Sequence, residues 1–466
     1  MALTPRLVLA ISLDTSKPEA EVLCELKRKT GKASLPLDDW RFTAAKMGLP
    51  ESLDRRKALY QGYEFELPED VLGAMQGWVQ GEAGQPLWLR LEKPSGYLRL
   101  VPWEQLLQPR IGVPILRLPD FETEPPRETP GTLDVLLCGS LPFDENPFPI
   151  GEYLERTADR ILGAVPSRRT TLHVFTDQAV YHGLRQRWEA AGKLGSEIRL
   201  YDPATAEPYA VPDPTSRIQD PAGSIENPWL LWMRDSLRGR SVDVVHFLTH
   251  GYLSGDRGAL ALAESPLRNT DRSLSRFVGG VELSTFLTQV GAWSAAFSSP
   301  EHNYSEMGLR LLADSIAQSR PGPVLHHEAR LDTGCAALAQ AYRFLYGPAG
   351  TGSLGGAPAS PALLLYCPVP RAGKPKKGVS FGMQETAAPK EALQAVFESQ
   401  ENVPAWVAAA TRSIEQYNLR LQKLADAPAE LGQQLSRQAD LQPVQETLRQ
   451  IQEIVARAAV TKEVKP

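Results

Sequence analysis

The chain contains little cysteine. Its 466 residues include only Cys24, Cys138, Cys335 and Cys367, and no two of these have the close spacing of a zinc site or a redox motif. The four thiols are therefore predicted to be reduced, which favours a cytoplasmic protein over a disulfide-bonded secreted one. The sequence predicts no metal site and no cofactor.

Long hydrophobic runs and blocks of like charge are also missing. The apolar run Leu7–Leu13 is too short for a signal-peptide core, and no stretch approaches the roughly 20 apolar residues of a membrane helix. The net charge of −5 is spread without long blocks, so neither nucleic acid nor a membrane is expected as a partner. A composition of 42% hydrophobic and 23% charged residues is typical of soluble globular proteins.

The length allows two or three domains. Residues 1–128 are predicted to form an α+β module, with a helix at Pro68–Val79 and short strands at Leu7–Leu13, Tyr63–Leu67, Leu87–Glu92 and Tyr97–Val101. The module contains no catalytic constellation, which favours a packing or docking role. Phe121–Pro130, rich in Pro, Glu and Thr, is predicted to be a linker.

Strands and helices alternate from residue 129 to residue 370. We count about six core strands between Thr132 and Cys367. This alternation predicts an α/β domain with a mostly parallel sheet, against which the N-terminal module packs. Residues 389–462 form a predicted C-terminal helical region with apolar side chains at helical spacing. Such a stripe packs on its own domain, binds a partner, or forms an oligomer.

The stretch Val242–Pro300 holds the candidate site. An apolar strand ends in His250-Gly251, the polar loop Tyr252–Gly258 follows, and a helix is predicted at Val281–Val290. A second apolar strand then ends in Ser298-Ser299. Sites in parallel sheets form at the carboxyl ends of strands, so His250 and Ser299 are expected to lie within reach of one hydrogen bond or one bridging water.

The chemistry of that pair is incomplete. A neutral imidazole can accept a proton from a nucleophile, but serine has a far higher pKa than cysteine. Serine hydrolases normally add a buried carboxylate that orients the histidine. The serines also stand outside a Gly-x-Ser-x-Gly turn, because Phe297 and Pro300 flank them.

Several segments together resemble a known family. Val244–Gly251 resembles the His-Gly strand of CHAT domains, which are caspase-like proteases of clan CD. Leu100–Glu104 resembles the Pro-Trp-Glu segment that often precedes the CHAT core. Gly308–Asp314 with Gly322–Leu325, and then Cys335–Gly347, resemble the elements after the nucleophile. The resemblance covers roughly residues 87–368.

The resemblance implies a caspase-like sandwich and a His/Cys dyad that cleaves a protein. It also implies a role in a prokaryotic signalling or defence system, with a protein substrate or effector as partner. The family, however, places cysteine where this chain has Ser299, or Ser298 if the register shifts by one. Serine there is explained by an engineered replacement, by a natural pseudo-protease, or by another nucleophile, for which Cys138 is the best thiol. A non-catalytic interaction scaffold with the same fold is the competing class.

If the protein is proteolytic, its substrate pocket is expected to include Gly251 and the acidic residues Asp256, Glu328 and Asp332. Acidic side chains would favour a basic substrate side chain before the cut. His246 is predicted to share a face with His250 through the two-residue strand period. It is more typical of a core residue than of a metal ligand.

Overall fold

The computed structural model describes most of the chain up to Val369. The described residues are 6–14, 16, 20–30, 33–49, 65–81, 85–92, 95–120, 131–145, 148–210, 225–254, 257–300, 303–347 and 356–369. The predicted linker Phe121–Pro130 and the predicted C-terminal helical region therefore lie outside the described residues. Within those described, no helix combines the length and hydrophobicity needed to cross a bilayer.

The fold consists of two sheets and the helices that cover them. The strands are β1 Arg6–Asp14, β2 Glu21–Thr30, β3 Ala33–Thr43, β4 Leu87–Leu91, β5 Ile115–Arg117, β6 Thr132–Gly139, β7 Arg169–Thr176, β8 Ile198–Leu200, β9 Val244–Leu248, β10 His250–Ser254, β11 Arg257–Leu262, β12 Arg276–Gly279, β13 Ser294–Ser299, β14 Val324–Glu328 and β15 Leu363–Tyr366. The helices are α1 Glu69–Gly81, α2 Trp103–Ile111, α3 Ile150–Ala164, α4 Gln178–Ala190, α5 Pro228–Ser236, α6 Gly280–Gln289, α7 Asn303–Ser319 and α8 Ala336–Tyr346.

The larger sheet is mixed but mostly parallel, as the strand–helix alternation predicts. Its twelve strands run in the order β3-β2-β1-β4-β5-β15-β14-β13-β9-β6-β7-β8. The strands from β14 to β8 are all parallel to one another. β15 is antiparallel to β14 and is followed by a second parallel group, β5, β4 and β1. The class is therefore α/β.

The N-terminal strands extend this sheet. Tyr366 of β15 lies opposite Arg117 of β5, and the Cys367 N–H donates to the Arg117 carbonyl at 3.0 Å. The strand predicted at Tyr97–Val101 is wrong, because Gly96–Arg99 forms a 3-10 turn, which begins at Gly96 with φ 49°. Tyr63–Leu67 lies partly outside the described residues, and Phe65–Leu67 is not in a strand.

Alternation along the central strands decides which side chains face which helices. His246, Ser298 and His327 belong to the face covered by α3 and α8, where they meet Tyr153 and Tyr342. The adjacent residues point to the opposite face, which α7 covers. On that face Phe247 and Phe297 pack in one apolar cluster with Leu309 and Leu312 of α7.

The second sheet corrects the prediction for the His-Gly strand. β9 ends at Leu248, and His250 begins β10 of a three-stranded antiparallel sheet, β10-β11-β12. The predicted loop Tyr252–Gly258 is wrong in its described part, which forms a hairpin with β11. Thr249 makes the change of sheet because its N–H donates to the Ser298 carbonyl while its hydroxyl donates to the Ala261 carbonyl at 2.6 Å.

Two glycines let this hairpin lie directly on α7. A Cβ on Gly258 would clash with the backbone carbonyl of Gly308, and one on Gly308 would lie 2.7 Å from the backbone of Tyr252. A hydrogen side chain at both positions allows the backbones to touch. Leu260 and Val278 are fully buried behind the hairpin.

Candidate functional site

The carboxyl ends of three parallel strands meet at the candidate site. Ser298 on β13 lies opposite Leu248 on β9, and Ser299 lies opposite Glu328 on β14. β9 and β13 are therefore parallel neighbours, as the single crossover between them predicts. The side chains at these ends nevertheless divide between the two faces of the sheet, so the site consists of two separate groups.

Ser298 belongs to a buried hydrogen-bonded chain. Its Oγ lies 2.8 Å from His246 Nε2 and 3.0 Å from His327 Nδ1. His246 Nδ1 in turn lies 2.9 Å from the Tyr342 hydroxyl. His327 Nε2 lies 3.2 Å from Asp332 Oδ2. The five side chains join β9, β13, β14, α8 and the loop that precedes α8.

The partners of Asp332 fix the direction of every hydrogen bond in this chain. Its carboxylate accepts the N–H groups of Ala336 at 2.9 Å and Leu338 at 3.0 Å, and it can only accept. His327 therefore donates from Nε2, and in its neutral form it accepts the Ser298 proton at Nδ1. Ser298 then accepts from His246 Nε2–H, and His246 Nδ1 accepts from Tyr342. Both imidazoles are neutral in this assignment, which rests on the hydrogen-bond network.

The electrostatics agree with a neutral His246. Burial, with a smaller contribution from His327, lowers the pKa of His246 to about 3. Burial acts to raise the pKa of Asp332, but the hydrogen bonds from His327, Leu338 and Ala336 hold it below its usual value. The anionic Asp332 carboxylate and the neutral His246 ring thus stabilise one arrangement.

The hydrogen-bonded chain around Ser298 has the residue types of a Ser-His-Asp triad, but a substrate has no access to it. Ser298, His246 and His327 are all 0% exposed. The Ser298 hydroxyl donates to one imidazole and accepts from the other. A nucleophile must reach a substrate as well as a base, so this arrangement supports packing of the strands rather than attack on a carbonyl carbon.

Ser299 faces the other side of the sheet and lacks a base. Its side chain is buried, and its Oγ has no hydrogen-bond partner among the described residues. A direct hydrogen bond between His250 and Ser299 is therefore not formed, and the alternative of one bridging water stays a prediction. Glu328, which lies opposite Ser299 on β14, forms an ion pair with Arg310 of α7. Gln105 Nε2 also donates to both Glu328 oxygens, at 2.8 and 2.7 Å.

Two further titratable groups interact with the ion pair of Glu328 and Arg310. Burial and the charge of Glu328 raise the pKa of Glu306 to about 7, although Arg310 and Arg330 oppose the rise. His326 is fully buried with neither ring nitrogen paired among the described residues. Burial, followed by the charge of Arg310, lowers the pKa of its imidazole. The surroundings of Ser299 are buried and charged, and they contain no imidazole bonded to its hydroxyl.

The remaining predicted residues do not gather into one pocket. His250 and Gly251 are half-buried at the start of β10, and Asp256 lies outside the described residues. Asp332 and Glu328 both use their carboxylates on protein partners, as described above. Cys138 lies opposite Phe247, so the first core strand is the neighbour of β9. Burial and the charge of Asp177 raise the pKa of its thiol, which disfavours the reactive thiolate.

Sequence reasoning missed the residues that contact Ser298. His246 and Ser298 are not directly opposite each other on their neighbouring strands. His246 lies opposite Ala296, and Ser298 lies opposite Leu248, two residues further along. A polar residue inside each of three apolar strands was the available signal. No group of three or more His, Cys, Asp or Glu side chains among the described residues could hold a metal ion.

Comparison with known proteins gave no match to any family model, curated protein or solved structure. The class of the protein is therefore given by its own architecture. It is an α/β protein with a large mixed sheet, whose central parallel strands carry a buried serine and two buried histidines that are hydrogen-bonded on to Asp332 in a neighbouring loop.

Proposed function

We propose that the protein is a CHAT-type, caspase-like member of a prokaryotic signalling or defence system in which the protease arrangement is inactive. In this proposal the fold serves as a scaffold that binds a protein partner or effector. The proposal combines the family resemblance of residues 87–368 with the geometry of the two serines. The resemblance supplies the fold and the setting, and the geometry argues against catalysis.

The strand arrangement supports the caspase-like part of the proposal. Such sheets place the first core strand beside the histidine strand, and β6 pairs with β9. They place the nucleophile at the end of the next strand, and β13 pairs with β9 on its other side. His250 follows β9 by two residues, and Ser299 ends β13. The order and adjacency of these elements thus agree with the resemblance.

The hydrogen bonding of the serine pair carries the inactive part of the proposal. Ser298 is enclosed between His246 and His327 at 0% exposure, while Ser299 Oγ is buried without a partner. A protease dyad needs one residue that is both bonded to a base and open to substrate. Neither serine meets both conditions.

Alkylation of introduced thiols tests this proposal. The Ser299→Cys and Ser298→Cys variants are treated with iodoacetamide in the native state, each with and without His250→Ala, and labelling is followed by mass spectrometry. We expect slow labelling at both positions and no effect of His250→Ala, because burial raises the pKa of a thiol. The four natural cysteines are all buried and serve as internal references, and labelling in urea shows that every thiol is competent.

The protease alternative predicts the opposite result. Its supporting observation is the adjacency of β9 and β13, which places the strand that leads to His250 and Gly251 beside the strand that ends in the serine pair. Labelling of the Ser299→Cys variant that is faster in the folded than in the unfolded protein, and that slows with His250→Ala, would establish an imidazole-activated thiol. The scaffold proposal would then be abandoned.

A further inference from the structure

Two glutamates with buried carboxyl groups meet where α7 packs on the end of β14. Glu306 lies in the first turn of α7 and is 9% exposed, and Glu328 ends β14 at 2% exposure. The Glu306 carboxyl group lies within hydrogen-bond reach of the Glu328 carboxylate. Two carboxylates this close repel each other when both are ionised, so the pair is most stable with one proton shared between the two groups.

The buried positive charge beside the pair balances one carboxylate and not two. Arg310, one turn further along α7, donates from Nη2 to Glu328, and its Nη1 has no hydrogen-bond partner among the described residues. Glu328 also accepts two hydrogen bonds from the neutral side chain of Gln105 on α2. Arg330, which follows β14, is exposed, so solvent and salt screen its charge. The buried cluster therefore contains two carboxyl groups and one guanidinium.

The side chains that β13, β14 and the hairpin place beside this contact are uncharged at neutral pH. Ser299 of β13 lies opposite Glu328. His326 lies two residues before Glu328 on the same face of β14, and burial lowers the pKa of its imidazole well below the usual value, so it is neutral. The hairpin contributes Tyr252 and Gly258 to its contact with α7, and neither is an acidic or basic residue. The ionisation of the pair therefore depends on its own two carboxyl groups and on the two arginines.

The first turns of α7 cover two other parts of the fold. Gly308, two residues after Glu306, lies directly against the backbone of Tyr252 in β10. The same helix covers the face of the sheet on which Ser299 is buried at 1% exposure. The position of these turns therefore controls both the support of the hairpin and the burial of the end of β13.

We propose that Glu306 and Glu328 form a pH-sensitive latch, which holds the first turns of α7 on β10 and on the ends of β13 and β14 while the two carboxyl groups share a proton. Loss of that proton leaves two carboxylates against one buried guanidinium, and these turns separate from the sheet so that Glu306 reaches water. The inference stands apart from the proposed scaffold function.

The direction of the pH effect follows from the two states of Glu306. Its pKa is about 7 in the closed state, against 4.5 for an ordinary glutamate, so the closed state binds the proton more tightly than the open state does. The equilibrium constant for opening therefore rises by about tenfold per pH unit between these two values, and it levels off above pH 7.

Native-state hydrogen exchange of the full chain, read by mass spectrometry between pH 5.5 and pH 8, tests the latch. Protection factors are compared, because they remove the intrinsic pH dependence of amide exchange. We expect the protection of residues 306–312 and of β10 to fall by about tenfold per pH unit up to pH 7 and then to level off, while β6 keeps its protection. Glu306→Gln cannot ionise and should stay protected at every pH. Glu152→Gln removes an exposed acid from the first turn of α3 and should keep the natural profile.

Arg330→Gln gives a second test that leaves the buried pair intact. The charge of Arg330 lowers the pKa of Glu306, so its removal should move the level part of the profile to a higher pH. A flat profile in the natural protein, or the natural profile in Glu306→Gln, overturns the proposal. An equal loss of protection in β6 and α7 also overturns it, because the proton would then act on the whole fold. The alkylation experiment reads the effect of His250→Ala, which the latch does not involve, so the two proposals fail independently.

Discussion

Ser298 and Ser299 are neighbours in sequence, yet the structure gives them opposite energetic roles. Ser298 connects the imidazoles of His246 and His327, whereas the Ser299 hydroxyl is buried without a hydrogen bond. Loss of a bonded hydroxyl leaves its former partners unsatisfied, and loss of an unbonded one removes a desolvation cost. The same substitution at the two positions therefore separates the roles.

We predict that Ser298→Ala lowers the free energy of unfolding by about 1–3 kcal/mol, because the buried His246 Nε2 loses its partner and His327 Nδ1 keeps only the longer contact with the Tyr153 hydroxyl at 3.4 Å. Ser299→Ala serves as the matched control and should leave stability within about 0.5 kcal/mol of the natural protein, or raise it. Urea denaturation of both variants measures the difference. Equal losses at the two positions would show that the hydrogen-bonded chain contributes nothing.

The pKa of His246 makes stability depend on pH. The folded-state value of about 3 lies below the ordinary 6.5 of a histidine, so below pH 6.5 the unfolded chain binds a proton that the folded chain does not. The stability that the neutral His246 contributes to the folded state is therefore complete above pH 6.5, and it is lost as the pH falls from 6.5 towards 3. The expected slope approaches about 1.4 kcal/mol per pH unit for this one group.

We predict that His246→Gln reduces this pH dependence. The midpoint of urea denaturation, measured between pH 7.5 and 5.5, should fall less steeply for the variant than for the natural protein. This range avoids most of the carboxylate titration. His182→Gln changes an exposed histidine on α4 and should keep the natural slope. Identical slopes for all three proteins would contradict a neutral, buried His246.

At the scale of elements, the contact between the β10–β11 hairpin and α7 depends on two glycines. We predict that Gly258→Ala destabilises the protein by about 1–3 kcal/mol, because the added methyl group clashes with the Gly308 carbonyl and forces the hairpin outward. Amide hydrogen exchange should accelerate in β10 and β11 first. Gly73→Ala on α1 meets nothing within 4 Å, and it should stabilise the protein by up to about 1 kcal/mol.

The elements differ in how well the sequence predicts them. Strands such as β6, β9 and β13 are runs of apolar residues buried on both faces, which is a clear signal. The β10–β11 hairpin was missed because serine, glycine, aspartate and arginine make up most of Tyr252–Gly258, and because its support comes from α7. The Ser298 chain was missed for a related reason. Its partner His327 lies on another strand, and the register between strands cannot be read from either strand alone.

At the scale of the whole molecule, the N-terminal strands and the central strands form one sheet, and a buried ion pair lies at their junction. Arg117 Nε and Nη2 donate to Glu104 at 2.6 and 3.0 Å, and Arg117 Nη1 lies 3.3 Å from the Tyr366 hydroxyl. Arg117 is 1% exposed and Glu104 is 2% exposed. Such a pair adds little over an apolar contact, but the loss of one partner leaves a charge buried without compensation.

We predict that Glu104→Leu lowers the free energy of unfolding by about 3–5 kcal/mol, because Arg117 keeps its charge in a buried position. Since the sheet is continuous through β5 and β15, this loss should lower the protection of β1 and β4 together with that of β13 and β14. Hydrogen exchange at increasing urea concentration reports both groups of strands in one experiment. Glu69→Gln removes the exposed pair with Arg110 on α1 and α2 and should cost less than about 0.5 kcal/mol. If the N-terminal strands lost protection at a lower urea concentration than the central strands, the sheet would be continuous in geometry but not in its unfolding.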